Sequence, residues 1–215
     1  MIRILIADDH LIVREGLKQL LSAERDFEVA GEAADGLGAL KQLREHMFDV
    51  LLMDMSMPGR SGIELIKQVK GEYPKLAILV LSMHKEKQYA VRALKAGALG
   101  YLTKESAPDQ LVSAIRKVAS GGAFISTGVA ERLALELGGN HDEAPHTLLS
   151  DREYQIFMLI VAGEPIGGIA DSLSLSVKTI STHKTRILQK MQMTSSAELI
   201  YYAIRHQLVS SPDET

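Results

Sequence analysis

Asp49-Val-Leu-Leu-Met-Asp54-Met-Ser-Met-Pro58-Gly59 is the stretch of sequence that decides the fold. Its apolar residues 50–53 are typical of a parallel strand that is covered on both faces. The strand ends at a carboxylate, Asp54, and Pro58 and Gly59 then interrupt it. In open α/β sheets ligands bind just beyond the carboxyl ends of the strands, so Asp54 lies where chemistry is expected. Taken by itself, an Asp at a strand end is better explained as the cap of a loop.

The composition is that of a globular protein with two ordinary domains or one large one. The chain has 215 residues, of which 46% are hydrophobic and 24% charged. Because it has no Cys, disulfides, thiol nucleophiles and Cys-based zinc sites are excluded. The longest aliphatic run, 76–81, is far too short to span a bilayer, so we expect a cytoplasmic protein without a membrane partner. The net charge of -3 gives no global signal for nucleic acid.

Five apolar runs alternate with amphipathic stretches in the first half of the chain. They begin at Ile2, Phe27, Val50, Leu76 and Leu99. Each amphipathic stretch between them ends near a Gly, a Pro or a polar turn. This rhythm predicts an α/β fold of the doubly wound (βα)5 type.

Helical spacing assigns a buried face to each intervening helix. The predicted buried residues are Ile12, Val13, Leu17, Leu20 and Leu21 in the first helix, Leu37, Leu40 and Leu43 in the second, and Leu65, Ile66 and Val69 in the third. We expect Asp35 to cap the second helix and Ser61 to begin a capping box for the third. The fourth helix is predicted over about 86–96 and stops at Gly97, and Pro108 suits the first turn of the fifth.

Polar side chains follow four of the five predicted strands. They are Asp8, Asp9, Asp54, Ser82 and Lys104, and the topology brings them to one edge of the sheet. Three carboxylates repel one another, which raises their proton affinity or recruits a cation, and Mg²⁺ suits such oxygen ligands. A carboxylate beside Mg²⁺ can act as a nucleophile and form an aspartyl-phosphate, with Lys104 holding the phosphoryl group and Ser82 in reach. Each residue alone has an ordinary explanation, whereas their coincidence at successive strand ends favours a site.

These residues resemble the receiver domain of two-component response regulators. The resemblance covers residues 1–120 and depends on Asp8-Asp9, Asp54 followed by Met57-Pro58-Gly59, Ser82, Tyr101 and Lys104. It implies a flavodoxin-like fold in which Asp54 accepts phosphate from a sensor histidine kinase.

The same resemblance implies roles for the neighbours of Asp54. Asp9 and Asp54 would bind Mg²⁺ directly, together with the backbone carbonyl of Ser56, and Asp8 would help through water. Ser82 and Tyr101 would be the coupled switch residues. Glu105 follows Lys104 where many receivers have Pro, so we leave open whether that peptide bond is cis.

Residues 121–147 are predicted to form a linker with one short helix, whose apolar positions are Val129, Leu133, Leu135 and Leu137. Gly138 to Pro145 is polar and has no apolar period, which marks the clearest break in the chain. His141 and His146 are interpreted as exposed linker histidines rather than metal ligands. A second domain is expected over 148–209, followed by a tail at 210–215.

The second domain shows the short helix, tight turn and longer helix of a helix-turn-helix. Ser150 and Glu153 are predicted to form a capping box at its start. A helical wheel divides the third helix into two faces. The apolar face, predicted to be buried, consists of Val177, Ile180, Ile187, Leu188 and Met191. The polar face consists of Lys178, Thr179, Ser181, Thr182, Thr185, Arg186, Gln189 and Lys190. Residues 172–197 contain four Lys or Arg and no Asp or Glu. A solvated surface helix would mix both signs, so this pattern favours DNA binding.

This segment resembles the LuxR-type helix-turn-helix over about residues 148–208. The matching residues are Leu149-Ser-Asp-Arg-Glu153, Gly163, Ile169-Ala170 and Lys178-Thr-Ile-Ser-Thr-His183. The resemblance implies that DNA is bound by the face that carries Lys178, Thr179, Ser181, Thr182, His183, Lys184, Thr185 and Arg186. Ser181, Thr182 and Thr185 would face base edges, and Lys178, His183, Lys184 and Arg186 mostly phosphates.

One segment departs from that pattern. Pro165-Ile-Gly-Gly168 replaces helix-favouring residues, and two glycines inside a helix cost about 1 kcal/mol each. We therefore expect the scaffold helix to start late or fray.

The whole pattern predicts a NarL/FixJ-type response regulator, which is a transcription factor and not an enzyme. Its expected partners are a sensor histidine kinase, promoter DNA, a second copy of the chain on phosphorylation or on DNA, and RNA polymerase. A signalling adaptor that binds protein through its second domain is the main alternative. Gly36-Leu-Gly38 lacks the third Gly of a dinucleotide loop, and Ser56 removes the acid/base that a dehalogenase-type phosphatase would need.

Overall fold

The chain forms two compact units, Met1–Leu133 and Ala134–Thr215. The structure, a computed structural model, describes residues 1–57, 62–83, 87–137, 144–206 and 208–209, without the side chains of 87, 88, 132 and 135–137. Several predictions concern residues or side chains outside these ranges. They are the stop at Pro58-Gly59, the cap at Ser61, most of the polar break at 138–145 with the exposure of His141, the apolar positions Leu135 and Leu137, and the tail at 210–215. None of the helices in the described part of the chain is both long and apolar enough to cross a membrane.

The first unit alternates strands and helices, as predicted. Its strands are β1 (Ile2–Ala7), β2 (Phe27–Ala33), β3 (Val50–Asp54), β4 (Ala77–Ser82) and β5 (Gly100–Thr103). Its helices are α1 (Leu11–Ser22), α2 (Gly36–Glu45), α3 (Gly62–Glu72), α4 (Lys87–Lys95) and α5 (Pro108–Ala119). A sixth helix, α6, spans Thr127–Leu137.

The five strands form one parallel sheet in the order β2-β1-β3-β4-β5. All five residues of β3 are buried, as its unbroken apolar run predicts. Alternate strand residues such as Ile4, Ile6 and Leu52 pack in one core with Leu111 and Ile115 of α5. The sheet is therefore covered on both faces, and its carboxyl edge is left for polar side chains.

The helix faces are largely as predicted, with corrections at their first turns. Leu21, Leu40 and Leu43 are buried, whereas Ile12 is 86% exposed and Leu37 71% exposed. Both wrong predictions lie in the first turn of a helix, which follows closely on the end of the preceding strand. Asp35 caps α2 as predicted, since its Oδ1 accepts the Gly38 N–H at 2.7 Å.

The second unit is helical, with four α-helices after a short 3₁₀ helix. The 3₁₀ helix is Pro145–Leu148, and the α-helices are α7 (Asp151–Val161), α8 (Ile166–Ser172), α9 (Val177–Met191) and α10 (Ser196–Arg205). The predicted capping box is present, because Ser150 Oγ accepts the Glu153 N–H and Glu153 Oε2 accepts the Ser150 N–H. Ile180, Ile187 and Met191 of α9 are buried, but Val177, again in a first turn, is exposed.

Two further expectations for the second unit are wrong. The helix α8 does not start late: it begins at Ile166 directly after Pro165, and Gly167 and Gly168 lie in its first turn. There the backbone N–H groups lack intrahelical partners in any sequence, and Pro165 fixes the entry of the chain. His146 is not an exposed linker residue either, because it is buried with its Nδ1 2.8 Å from the Tyr202 hydroxyl.

Candidate phosphoryl-acceptor site and nucleic-acid interface

Strand register brings the predicted acidic residues and Lys104 together. Asp54 pairs with Leu81 across β3 and β4, and Ser82 pairs with Thr103 across β4 and β5, so the strands end side by side. Lys104 Nζ lies 2.7 Å from Asp8 Oδ2 and 2.9 Å from Asp54 Oδ2. Asp8 and Asp54 are buried, at 1% and 2% exposure. A largely buried ammonium thus bridges two buried carboxylates at the edge of the sheet.

The acidic cluster has the composition of a cation site. Asp8, Asp9, His10 and Asp54 each offer a ligand atom, and these atoms all lie within 4.8 Å of one another. His10 was not foreseen, although it directly follows Asp8-Asp9 in the sequence. Its Nδ1 lies 2.9 Å from Asp9 Oδ1 and 3.3 Å from Asp8 Oδ1. This cluster could hold a metal ion.

Burial and the Lys104 ammonium have opposite effects on the pKa of Asp54. Burial raises the pKa of Asp54, while the hydrogen bond and charge of Lys104 act to lower it and the charge of Asp8 raises it further. Burial alone would lower the pKa of Lys104, but hydrogen bonds to Asp8 and Asp54 raise it. Lys104 is therefore a cation at neutral pH. The Ser56 N–H also donates to Asp54 Oδ1 at 3.2 Å.

The two predicted switch residues lie on adjacent strands. Ser82 is fully buried at the end of β4, and its carbonyl accepts the Lys104 N–H at 2.8 Å. Tyr101 is buried on β5 opposite Val80. Ser82 thus lies at the carboxyl edge beside Lys104, whereas Tyr101 is set back within the sheet. The described peptide bonds, Lys104–Glu105 included, are trans.

The predicted DNA-binding residues all lie on α9. Lys178, Ser181, Thr182, Thr185 and Arg186 are exposed, while Thr179, His183 and Lys184 are half-buried. Ser181, Thr182 and Thr185 donate their hydroxyl hydrogens to the carbonyls four residues earlier, at 2.9–3.1 Å. The Thr179 hydroxyl lies 2.8 Å from that of the N-cap, Ser176. The exposed face of α9 is basic and rich in hydroxyls, as the wheel predicts.

Sequence reasoning missed the role of Lys190, which it placed on the polar face of α9. Lys190 Nζ lies 2.6 Å from Glu153 Oε2 and 3.4 Å from the Leu148 carbonyl. Glu153 is buried, and burial alone would raise its pKa, but hydrogen bonds from Lys190 and Ser150 lower it. Lys190 therefore neutralises the charge of the buried Glu153 carboxylate, which also caps α7.

We predict that Lys190→Met destabilises the protein by about 2–3 kcal/mol, because it leaves the Glu153 carboxylate buried without its cation. Lys178→Met is the matched control: it removes the same charge from an exposed position on the same helix and should change stability by less than about 0.5 kcal/mol. Urea denaturation followed by circular dichroism measures both. Equal stabilities of the two variants would show that the Glu153–Lys190 pair contributes nothing.

Fold and sites together define a two-domain regulator, in which an α/β domain with an acidic site is joined to a helix-turn-helix domain. The model of the response regulator receiver domain matches residues 4–116, and that of the bacterial regulatory proteins of the luxR family matches residues 147–203. The chain belongs to the NarL/FixJ-type response regulators and carries a receiver domain and a LuxR-type DNA-binding domain.

Whole proteins of the same kind match nearly the full chain. Response regulator UvrY of Escherichia coli (strain K12) is 38% identical over 212 residues, which cover 98% of this chain and 97% of that protein. Response regulator GacA of Pseudomonas aeruginosa is 37% identical over 212 residues, which cover 98% and 99%. Among solved structures, RcsB of Salmonella typhimurium aligns with a TM-score of 0.71 and 29% identity, over 94% of this chain and 96% of that one.

Proposed function

We propose that this chain is a phosphorylation-controlled transcription factor in which Asp54 accepts a phosphoryl group from a sensor histidine kinase. The observation that carries the proposal is the Lys104 ammonium, which lies 2.9 Å from Asp54 and 2.7 Å from Asp8, the two buried carboxylates of the acidic cluster. We assign the receiver to residues 1–120, a linker to 121–147, the DNA-binding domain to 148–209 and a tail to 210–215. The protein is assigned to the cytoplasm.

The cation of this site is Mg²⁺ in the proposal. Asp9 and Asp54 would hold it directly, together with the backbone carbonyl of Ser56, and Asp8 would act through water. The ligand set supports this assignment, because the carboxylates are hard oxygen donors and Mg²⁺ commonly keeps waters beside one or two carboxylates. When bound, Mg²⁺ supplies positive charge that offsets the repulsion between the acidic groups and an incoming phosphoryl group.

In phosphoryl transfer a carboxylate oxygen of Asp54 attacks the phosphorus of the donor. A P–O bond to Asp54 forms and the P–N bond to the kinase histidine breaks, so that the histidine recovers its electron pair. Lys104 already lies beside Asp54 and would pair with an oxygen of the transferred group. Because an acyl phosphate has no free carboxylate, this conversion would also break the ion pair between the Asp54 carboxylate and Lys104.

In this proposal Ser82 and Tyr101 respond to the phosphorylation of Asp54 and transmit the change to the surface of the receiver domain. The Ser82 hydroxyl is at the end of β4 and would hydrogen-bond to the phosphoryl group, while the Tyr101 ring, already largely buried, would pack further inward. The equilibrium between the two states shifts only as far as the phosphoryl group stabilises one of them over the other. The shifted state would favour a dimer.

The second domain is proposed to bind promoter DNA through α9. The face with Lys178, His183, Lys184 and Arg186 contacts phosphates, and Thr179 lies at the start of the same face. Because Ser181, Thr182 and Thr185 use their hydroxyl hydrogens within the helix, all three would present acceptor oxygens to the major groove, and the two threonines would also present methyl groups. Such groups suit the amino groups of cytosine and adenine and the methyl group of thymine.

Related structures support dimeric DNA binding, since two RcsB dimers have been solved bound to two parallel DNAs. RcsB of Salmonella enterica serovar Typhimurium has been solved bound to promoter rprA in the presence of phosphomimetic BeF3-; it aligns with a TM-score of 0.65 and 29% identity, over 94% of this chain and 97% of that one. In our proposal two copies of this chain place their α9 helices in successive major grooves, about one helical turn apart. RNA polymerase is the further partner of the DNA-bound dimer.

Binding to genomic DNA fragments with and without a small phosphodonor tests this function. We expect phosphorylated protein to protect discrete sites, with an affinity that falls steeply as salt increases. Wild-type protein and Asp54→Asn should differ only when phosphodonor is present. Absence of salt-dependent binding in both states would favour the adaptor alternative, in which the second domain binds protein.

A further inference from the structure

Arg14 contacts the loop that carries two of the proposed metal ligands. It lies in the first turn of α1, and its side chain is largely buried, with 14% exposed. Its Nη1 donates to the backbone carbonyl of Asp8 at 2.7 Å. A side chain of α1 is thus bound to the main chain directly after the end of β1. The proposed function uses Asp8 and Asp9 but gives no role to Arg14.

The Asp8 carbonyl belongs to the peptide unit that links Asp8 to Asp9. A peptide unit is planar, so an interaction that fixes this carbonyl also fixes the backbone nitrogen of Asp9. The Asp8 N–H donates to the Ala33 carbonyl at 3.1 Å, and the His10 N–H donates to Asp8 Oδ1 at 2.9 Å. Together with Arg14, these hydrogen bonds hold the backbone on both sides of Asp9.

Charged groups on α1 and β2 hold the Arg14 guanidinium in turn. Arg14 Nε lies 3.4 Å from Glu32 Oε2, and Lys18 Nζ lies 2.8 Å from Glu32 Oε1. Lys18 is one turn after Arg14 on α1, and its Nζ also lies 2.6 Å from Glu15 Oε1. The donors of a guanidinium form a rigid planar fork, so one side chain can contact a carboxylate and a carbonyl at once. Glu32 thus anchors the side chain that contacts Asp8.

Charge and position give Arg14 opposite effects on a cation site. A guanidinium repels a divalent cation, so its removal would strengthen cation binding if charge decided the outcome. Residues that orient metal ligands act in the other direction, and replacing one typically weakens metal binding by about 10–100-fold. The sign of the change in affinity therefore distinguishes the two effects.

We propose that Arg14 is a positioning residue of the acidic site, whose hydrogen bond to the Asp8 carbonyl holds Asp8 and Asp9 in the geometry that binds Mg²⁺. The inference rests on the proposed function, because it takes Mg²⁺ as the cation of this site. Arg14 acts through the backbone and not as a ligand, since a guanidinium has no acceptor atom to offer a metal ion.

Titration of the full chain with MgCl2, followed by the backbone amide NMR signals of residues 8–10 and 54, tests this role. Arg14→Gln should raise the Kd for Mg²⁺ by about tenfold or more. Lys18→Gln is the matched control, because it removes the same charge from the same helix and also loses a contact with Glu32. It should leave the Kd within about twofold of the wild-type value, since the charge of a side chain near the surface is screened.

Glu32→Gln is a second variant, which removes the anchor of Arg14 and keeps Arg14 itself. It should raise the Kd for Mg²⁺ several-fold, whereas Glu15→Gln, which removes the same charge from the partner of Lys18, should not. In metal-free Arg14→Gln the His10 amide should exchange its hydrogen faster, because the loop that holds it is freed. The Leu21 amide near the other end of α1 should keep its rate, which shows that the helix remains folded.

The outcomes separate this inference from the proposed function. If wild-type protein binds Mg²⁺ and Arg14→Gln binds it equally well or more tightly, the positioning role is overturned and the metal site stands. An equal loss of affinity in Arg14→Gln and Lys18→Gln would also overturn it. If wild-type protein does not bind Mg²⁺, the proposed metal site fails, and the role of Arg14 fails with it.

Discussion

Asp54→Asn is expected to abolish labelling by a small phosphodonor such as acetyl phosphate, with a loss of at least ~1,000-fold in the rate of phosphoryl uptake. The amide has nearly the shape of the carboxylate but lacks its nucleophilic oxygen. Because burial raises the pKa of Asp54, the ionised form is costly to bury, and the neutral amide should not destabilise the fold. An amide oxygen can still accept a hydrogen bond from Lys104. Loss of labelling would therefore report chemistry and not unfolding.

The labelling is measured as the mass increase of the intact chain, and the modified residue is located by fragmentation. Asp54→Ala removes the side-chain oxygens altogether and should give the same loss. Asp109→Asn is the matched control, because Asp109 is an exposed carboxylate in the first turn of α5, and it should be labelled like wild type. Stoichiometric labelling of Asp54→Asn at Asp8 or Asp9 would show that the wrong carboxylate has been assigned.

Much of the first unit could be predicted because each buried strand carries an unbroken apolar run. Parallel strands formed by such runs end at one edge of the sheet, which is why the sequence alone predicts that Asp8, Asp54 and Lys104 lie together, as they do. Buried positions near the ends of the helices are harder to predict. Periodicity identifies the apolar face of a helix but not where the sheet beneath it stops, so Ile12 and Leu37 were wrongly assigned to the core.

The errors in the second unit have a different origin. The neighbours of His146 at 138–145 are polar and contain Gly and Pro, a pattern that predicts an exposed residue. Its burial depends on Tyr202, 56 residues later, which no local pattern reveals. Lys190 likewise pairs with Glu153, 37 residues earlier. His10 could have been found, since it directly follows two predicted metal ligands in the sequence.

The basic residues of α9 differ in what they bind. Lys190 is engaged by Glu153, so the basic charge proposed to reach phosphates is on Lys178, Lys184 and Arg186, with His183 at their edge. Replacing these three residues together by Gln should lower the affinity for promoter DNA by roughly 10²–10³-fold at low salt. Gln keeps the helix-favouring stem of each side chain, so α9 should remain folded.

Salt dependence separates this effect from a loss of fold. Each phosphate contact contributes about 0.9 to the slope of log K against log salt, so the triple variant should lose about 3 from the slope. The control is the triple Gln variant of Lys41, Arg44 and Lys75, which are exposed basic residues of the first unit. It changes the net charge equally and should leave the slope within about 0.5 of the wild-type value.

Fluorescence anisotropy with a labelled promoter fragment over a series of salt concentrations measures both variants. A slope that falls equally in the two triples would mean that the overall charge of the chain, and not α9, attracts DNA. An unchanged slope in the α9 triple would place the DNA contacts elsewhere. A slope that falls only in the α9 triple would show that the basic residues of α9 contact DNA phosphates; such contacts fix the position of a protein on DNA and do not read its sequence.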